Sequence, residues 1–194
     1  KRKNKKSERE YTMNILLSVT GSVAAVLTPK LIKKLSKFGH NVTTVMTNTA
    51  PKFLSFIFVY YKDEDEWTEF NQIGDPILHI ELRKWADVFL IAPCTVNTIG
   101  KLANGLCDNL LTNIAMAWDY SKPFYIAPAC NTFMWDNRIV QDNLVHIEEY
   151  GIKIIPPIKK TLACGDTGIG AMADINYIVH TIDKRRSVYE ISFA

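Results

Sequence analysis

Cys164 stands at the head of Cys164-Gly165-Asp166-Thr167-Gly168-Ile169-Gly170, a stretch that sets three glycines behind one thiol within seven residues. Glycine costs backbone entropy and gives up side-chain packing. Such a segment is therefore mobile, or its backbone must lie close to something. A lone cysteine is by default a small buried hydrophobe, but a thiol here is available for chemistry. A second candidate is His79, in Ile77-Leu78-His79-Ile80-Glu81-Leu82. Its ordinary titration range near neutrality suits proton transfer, although its apolar neighbours equally suit a structural histidine.

Three polar turns complete the set. Thr20-Gly21-Ser22-Val23 follows an apolar run, and Gly21 permits a tight turn and close ligand approach. Ser22 is a good N-cap, and the helix behind it would offer free N–H groups and a positive dipole end, which is an anion site. Cys94-Thr95-Val96-Asn97-Thr98 and Ala127-Pro128-Ala129-Cys130-Asn131-Thr132-Phe133-Met134-Trp135 also follow apolar runs and carry hydrogen-bonding residues. Each could do no more than cap a helix; several on one sheet edge favour a shared cleft.

The elements that must position these residues alternate. Strands are expected at 13–19, 41–46, 86–91, 122–126 and 152–155. Helical spacing is expected at 22–38, with Val23, Leu27, Leu31 and Leu35 on one face, and near 77–84, 97–104, 108–118, 139–150 and 175–186. Phe53 to Tyr61 reads as buried core. Alternating strands and helices imply parallel pairing through right-handed crossovers. The fold class expected is α/β, a three-layer doubly wound, Rossmann-like or flavodoxin-like parallel sheet in a single domain. Ligands on such sheets bind beyond the strand carboxyl ends, where the three turns fall.

With 194 residues the chain has length for one full core, and its net charge of +3 is small. Much of that charge lies in Lys1-Arg2-Lys3-Asn4-Lys5-Lys6-Ser7-Glu8-Arg9. Residues 1–11 are expected to be a disordered basic tail, 12–186 the folded domain and 187–194 a C-terminal tail. No basic stripe interleaved with aromatics continues into the body, so nucleic acid is not an expected partner. No apolar run reaches membrane-spanning length, and the start lacks a signal peptide's apolar segment. No cysteine pair has CxxC spacing, so free thiols in a cytoplasmic protein are expected. Asp63-Glu64-Asp65-Glu66 reads as a solvated acidic turn, and no metal site is expected. His40, His146 and His180 read as exposed and without a role. The GxGxxG fingerprint is missing and no acidic residue ends the second strand, which disfavours NAD. GxxxxGK[ST] is missing too; a mononucleotide remains.

Taken together, these motifs resemble the flavin-containing cysteine decarboxylases over about residues 14–182. The resemblance rests on Gly21-Ser22-Val23-Ala24-Ala25, on His79-Ile80-Glu81-Leu82 with Trp85-Ala86-Asp87, and on Ala92-Pro93 followed by Asn97-Thr98. Gly105-Leu106-Cys107-Asp108-Asn109-Leu110-Leu111, Pro128 to Trp135 and the Cys164 stretch complete it. It implies bound FMN, held by Gly21, Ser22, Val23, Thr47, Thr49, Phe53, Thr95, Val96, Asn97, Thr98 and Ala129. It implies a homotrimer with active sites between subunits. His79 and Cys164 would be catalytic, and Asn131, Met134 and Ala163 would bind substrate.

The implied substrate is 4′-phosphopantothenoyl-L-cysteine, in coenzyme A biosynthesis. A plain cysteine carboxylate has nowhere to put the electrons that decarboxylation leaves on carbon. Prior oxidation of the thiol, with flavin as oxidant, creates that sink. Cys164, on a flap over the substrate, would protonate the resulting ene-thiolate, so that 4′-phosphopantetheine forms with no net redox change. His79 would assist early proton handling and Asn131 would orient the carboxylate. The resemblance extends to a peptidyl-cysteine decarboxylase branch, which lacks the flap cysteine, and to phosphatase-inhibitory regulatory subunits. Flavin prenyltransferases share the architecture without needing the flap. Retention of His79, Asn131 and Cys164 in one chain favours the self-sufficient enzyme. Two departures stand out: Cys130 replaces the family's usual methionine, and Thr95-Val96 replaces serine-alanine.

Overall fold

Alternate residues of each central strand belong to opposite cores, and this two-residue period organises the molecule. The computed structural model describes residues 12–55 and 58–183, so the expected tails 1–11 and 187–194 lie outside the described residues. Strands β1 (Asn14–Val19), β2 (Asn41–Met46), β3 (Val88–Cys94), β4 (Phe124–Pro128) and β5 (Lys153–Ile154) form one sheet in the order β2-β1-β3-β4-β5. Every pairing in it is parallel. Ile15, Leu17 and Val19 face one core with Leu90, Ala92, Tyr125 and Ala127; Leu16, Phe89, Ile91, Phe124 and Ile126 face the other.

Helices α1 (Thr28–Lys37), α2 (Leu78–Trp85), α3 (Val96–Ala103), α4 (Leu110–Met116), α5 (Thr132–Trp135), α6 (Arg138–Glu149) and α7 (Ile175–Ile182) follow in chain order. Leu31 and Leu35 of α1 and Ile178 and Val179 of α7 close the first core. Leu82 of α2, Ile99 of α3, Ile114 of α4 and Ile147 of α6 close the second. Both sheet faces are therefore covered, as the expected three-layer doubly wound class requires. Among the described residues no helix is long and apolar enough to cross a membrane.

Several local expectations change. The single helix expected at 22–38 is a 3-10 turn, Val23–Leu27, followed by α1. Pro29 is the reason: it has no N–H, and its ring opposes continuation from the preceding turn, but it is tolerated in the first turn of a new helix. Phe53 to Tyr61 is core only in part: Phe53, Leu54, Phe58 and Tyr60 pack partly buried against the first core, and residues 56 and 57 lie outside the described residues. Val59 is 94% exposed, and Tyr61 lies along the edge strand, its N–H donating to the Thr44 carbonyl while its own carbonyl accepts from Met46. His40 is buried rather than exposed. Its Nε2 lies 3.3 Å from Asp183 Oδ2, and its Nδ1 is 3.4 Å from the Met13 N–H, so it ties the end of α7 to the start of the sheet.

The glycine-rich stretch after Cys164 resolves between mobility and close approach in favour of a paired hairpin. Ile158–Thr161 (β6) and Thr167–Ala171 (β7) form an antiparallel hairpin. Gly170, at φ 154°, is in a region that side chains rarely adopt. A Cβ there would sit 2.4 Å from the Cys130 carbonyl oxygen. The Cys130 N–H in turn donates to the Gly170 carbonyl. The glycine thus serves close approach, fixing the hairpin to the end of β4. Gly170→Ala is expected to destabilise the fold by about 2 kcal/mol or more, and to expose 158–171 to limited proteolysis. Urea unfolding together with mapping of the cleavage sites checks both.

Candidate active site

Thr20, the residue after β1, stitches two strand ends together. Its hydroxyl donates to the Pro93 carbonyl at 2.8 Å and accepts from the Thr95 N–H at 3.0 Å. It is 1% exposed. The sheet order reverses between β1 and β3, and a crevice opens outside the carboxyl ends at such a point. Here it is a cleft of about 720 Å³. Ser22 caps the Val23–Leu27 turn through the Ala24 N–H. Thr95 caps α3 through the Thr98 N–H at 3.4 Å. Two sets of exposed N–H groups therefore open on the cleft from its two sides.

Gly21, Ser22, Val23, Thr47, Thr49, Phe53, Thr95, Val96, Asn97, Thr98 and Ala129 all line this cleft. A Cβ on Gly21 would come 2.6 Å from Thr49 Cβ, so only glycine lets these two walls meet. At the far end Lys101 Nζ holds Asp108 at 2.7 and 2.8 Å. This contact keeps the Asp108 carboxyl below its usual range, whereas burial pushes Asp63 above it. The Asp63 carboxylate accepts from the Leu110 N–H at 3.0 Å.

The residues suit a phosphorylated mononucleotide with a flat ring. Hydroxyls and free N–H groups can take the anion, Val23, Phe53 and Val96 offer apolar walls, and the volume lies within the range for small-molecule sites. FMN meets that description.

A second cleft of about 610 Å³ shares Ser22, Val23, Ala129 and Cys130 with the first. Asn131, Ala163 and Cys164 line it. Asn131 is held as the N-cap of α5, its side-chain oxygen accepting from the Phe133 N–H at 2.8 Å. That leaves its amide N–H groups to point across the cleft. They reach Cys164 Sγ at 3.2 Å and Asp166 Oδ2 at 2.6 Å, and Cys164 Sγ is itself 3.4 Å from the same carboxylate oxygen. Cys164 sits in the turn between β6 and β7, closed by the Leu162 N–H on the Asp166 carbonyl. Met134 lies on the first cleft rather than beside Cys164.

His79 lines neither cleft. It sits in the first turn of α2, and its Nδ1 is 2.5 Å from Glu66 Oε1. Glu66 is 4% exposed, so the acidic run is not simply a solvated turn. The 3-10 turn Asp63–Trp67 carries Glu66 inward. Thr20, Glu66 and Asp166 were not marked by the sequence. Thr20 alone had a signal, a hydroxyl residue directly after an apolar strand.

The four cysteines are free thiols. Burial pushes Cys94 far above its ordinary value, helped by the neighbouring Cys130. Burial, with Asp136 nearby, pushes Cys130 up to about 11. Cys107 and Cys164 are exposed.

Comparison with known proteins accords with this geometry. The family described as Flavoprotein matches residues 2–187. A phosphopantothenoylcysteine decarboxylase of Arabidopsis thaliana is 50% identical over 173 residues, covering 87% of this chain and 82% of its own. One from Mus musculus is 44% identical over 174 residues, covering 88% and 85%. Among solved structures, a cysteine-to-serine mutant of PPC decarboxylase complexed with pantothenoylaminoethenethiol superposes with a TM-score of 0.86. It is 49% identical and covers 89% of this chain and 97% of its own. The FMN binding protein AtHal3 gives a TM-score of 0.82 at 48% identity, covering 94% and 98%. With the match running over nearly its whole length, this chain belongs to the Flavoprotein family.

Proposed function

We propose that this chain is an FMN-dependent decarboxylase that converts 4′-phosphopantothenoyl-L-cysteine to 4′-phosphopantetheine. The observation that carries the reading is the Asn131 amide aimed at Cys164 Sγ, 3.2 Å away, in a cleft contiguous with the mononucleotide cleft. The hydroxyl-lined turns at 20–23, 47–49 and 95–98 would hold FMN. When bound, FMN supplies the reversible two-electron oxidation that gives the substrate carbon an electron sink.

The chain's own residues account for the rest. Asn131, fixed as a helix cap, offers N–H donors that orient the substrate carboxylate for departure. Asp166, which takes those donors here, must yield them to the substrate. Lys30 and Lys160 line the same cleft, together with Asp174, and offer ammonium groups that a phosphorylated substrate could meet. Met134 and Ala163 would border the bound substrate from the two sides. Once CO₂ has left, the exposed Cys164 thiol is placed to return a proton to the product. His79 takes up a proton early in the reaction. That it lines neither cleft supports a homotrimer in which one subunit's His79 completes a neighbour's site.

The deciding experiment is whether purified protein is yellow and turns 4′-phosphopantothenoylcysteine into 4′-phosphopantetheine. A protein that binds FMN without turnover would be a regulatory subunit, and turnover of peptidyl cysteine alone would place it in the peptide branch. Cys164→Ser is expected to release CO₂ but form no 4′-phosphopantetheine, as measured by CO₂ capture and chromatography. Normal product from that variant would remove the proton-donor role. The thiols should also separate by reactivity. Only a thiolate alkylates, and at pH 8 a thiol titrating near 11 is ionised to about one part in a thousand. Iodoacetamide at pH 8 should therefore label Cys164 and Cys107 first, Cys130 slowly and Cys94 last. Peptide mass spectrometry over time reads the order, and labelling of Cys130 should accelerate as the pH rises.

A further inference from the structure

Glu66 carries more than its place in the fold requires. The turn that holds it is already anchored twice: the Lys62 N–H donates to Asp65 Oδ2 at 2.9 Å, and the Asp63 carboxylate accepts from the Leu110 N–H at 3.0 Å. Neither bond involves Glu66. Its side chain is nonetheless 3% exposed, with Oε1 2.5 Å from His79 Nδ1. Oε2 is buried and finds no hydrogen-bond partner among the described residues. A buried carboxylate is costly unless it is paired and hydrogen-bonded. With Oε2 unpartnered, His79 Nδ1 is the one hydrogen-bond partner of the Glu66 carboxyl among the described residues. A bare Nδ1 would face an ionised carboxylate lone pair to lone pair, and could be accommodated only if Glu66 itself carried the proton, the arrangement that a neutral ring protonated at Nε2 would report.

We infer that Glu66 is a positioning residue that keeps a proton on His79 Nδ1, leaving Nε2 as the nitrogen that exchanges protons with the substrate. This rests on the reading of His79 as the group that handles the early proton. The balance is simple. Nε2 accepts one proton from the substrate, the ring passes from neutral to +1, and Glu66 remains −1 beside it. The ring returns to neutral when Nε2 gives the proton up. Glu66 thus fixes the tautomer, aims the ring, and stabilises the cation formed during turnover. It touches no reacting atom.

The test is ¹⁵N NMR of the FMN-loaded protein labelled at histidine. The chain has four histidines, and His79→Asn identifies the His79 signals. As the pH is raised until the ring is neutral, His79 should keep its proton on Nδ1 and show a bare Nε2. A neutral ring with the proton on Nε2 overturns the proposal, and this measurement needs no Glu66 variant to fold. In Glu66→Gln the tautomer should shift toward Nε2–H. Its kcat should fall about 100-fold or more, with KM within about threefold, the range expected when a transition-state rather than a binding interaction is lost. Glu66→Asp should recover part of the rate. Wild-type kcat in Glu66→Gln, or a lost rate with an unchanged His79 spectrum, overturns it. If no cysteine conjugate is decarboxylated at all, the functional reading fails, while the spectrum still decides the tautomer.

Discussion

Everything chemical in this molecule hangs on the junction between the ends of β1 and β3, and Thr20 makes that junction. Parallel strands deliver their carboxyl ends to one edge but do not set the spacing of the loops that leave it. The Thr20 hydroxyl does so by serving the Pro93 carbonyl and the Thr95 N–H together. It is buried, so both contacts form away from competing water. The Ser22 and Thr95 caps are thereby locked side by side, and their free N–H groups face one volume. Removing the hydroxyl would leave the Pro93 carbonyl with the Thr20 N–H alone and the Thr95 N–H to find a new partner, at the one place where the loops cannot move independently.

The site divides its labour by compartment. Its mononucleotide half is built on rigid strand ends and helix caps. Its Cys164-bearing half is a hairpin turn docked through backbone contacts at Cys130 and Gly170. His79 approaches from a third element, α2, and is held by a carboxylate from the opposite side. The Cys164 thiol and the His79 ring are therefore carried on separate elements of the fold. The thiols follow the same logic. Burial drives Cys94 and Cys130 toward the neutral form, and Cys164 stands exposed on its turn.

The strands and most helices were legible in the sequence because continuous apolar runs and helical spacing report burial directly. The parallel pairing of the sheet followed from the alternation. The residues at the strand ends were legible for the same reason: capping chemistry has a local signature. What was missed has no local signature. Ile158–Thr161 is exposed along its length, so β6 shows neither an apolar run nor alternation. Glu66 reads as one acid among four, and only the turn of a 3-10 helix selects it for burial. His40 lies in a polar stretch, and its partner Asp183 is far along the chain. In each case the deciding contact is long-range. The role of the glycines was likewise ambiguous until Cys130 appeared beneath Gly170.

The hairpin leaves the sheet after Ile155 and rejoins the fold at Met172, and both flanking side chains are buried in the same core. The intervening residues bear Cys164 and much of the wall of the second cleft, yet pair among themselves in a separate two-stranded sheet. The arrangement is modular. A segment rooted at two fixed points can be lengthened, recharged or given a different tip while the flavin-type cleft beneath keeps its shape. What the segment touches can therefore change while the sheet and its two cores stay as they are.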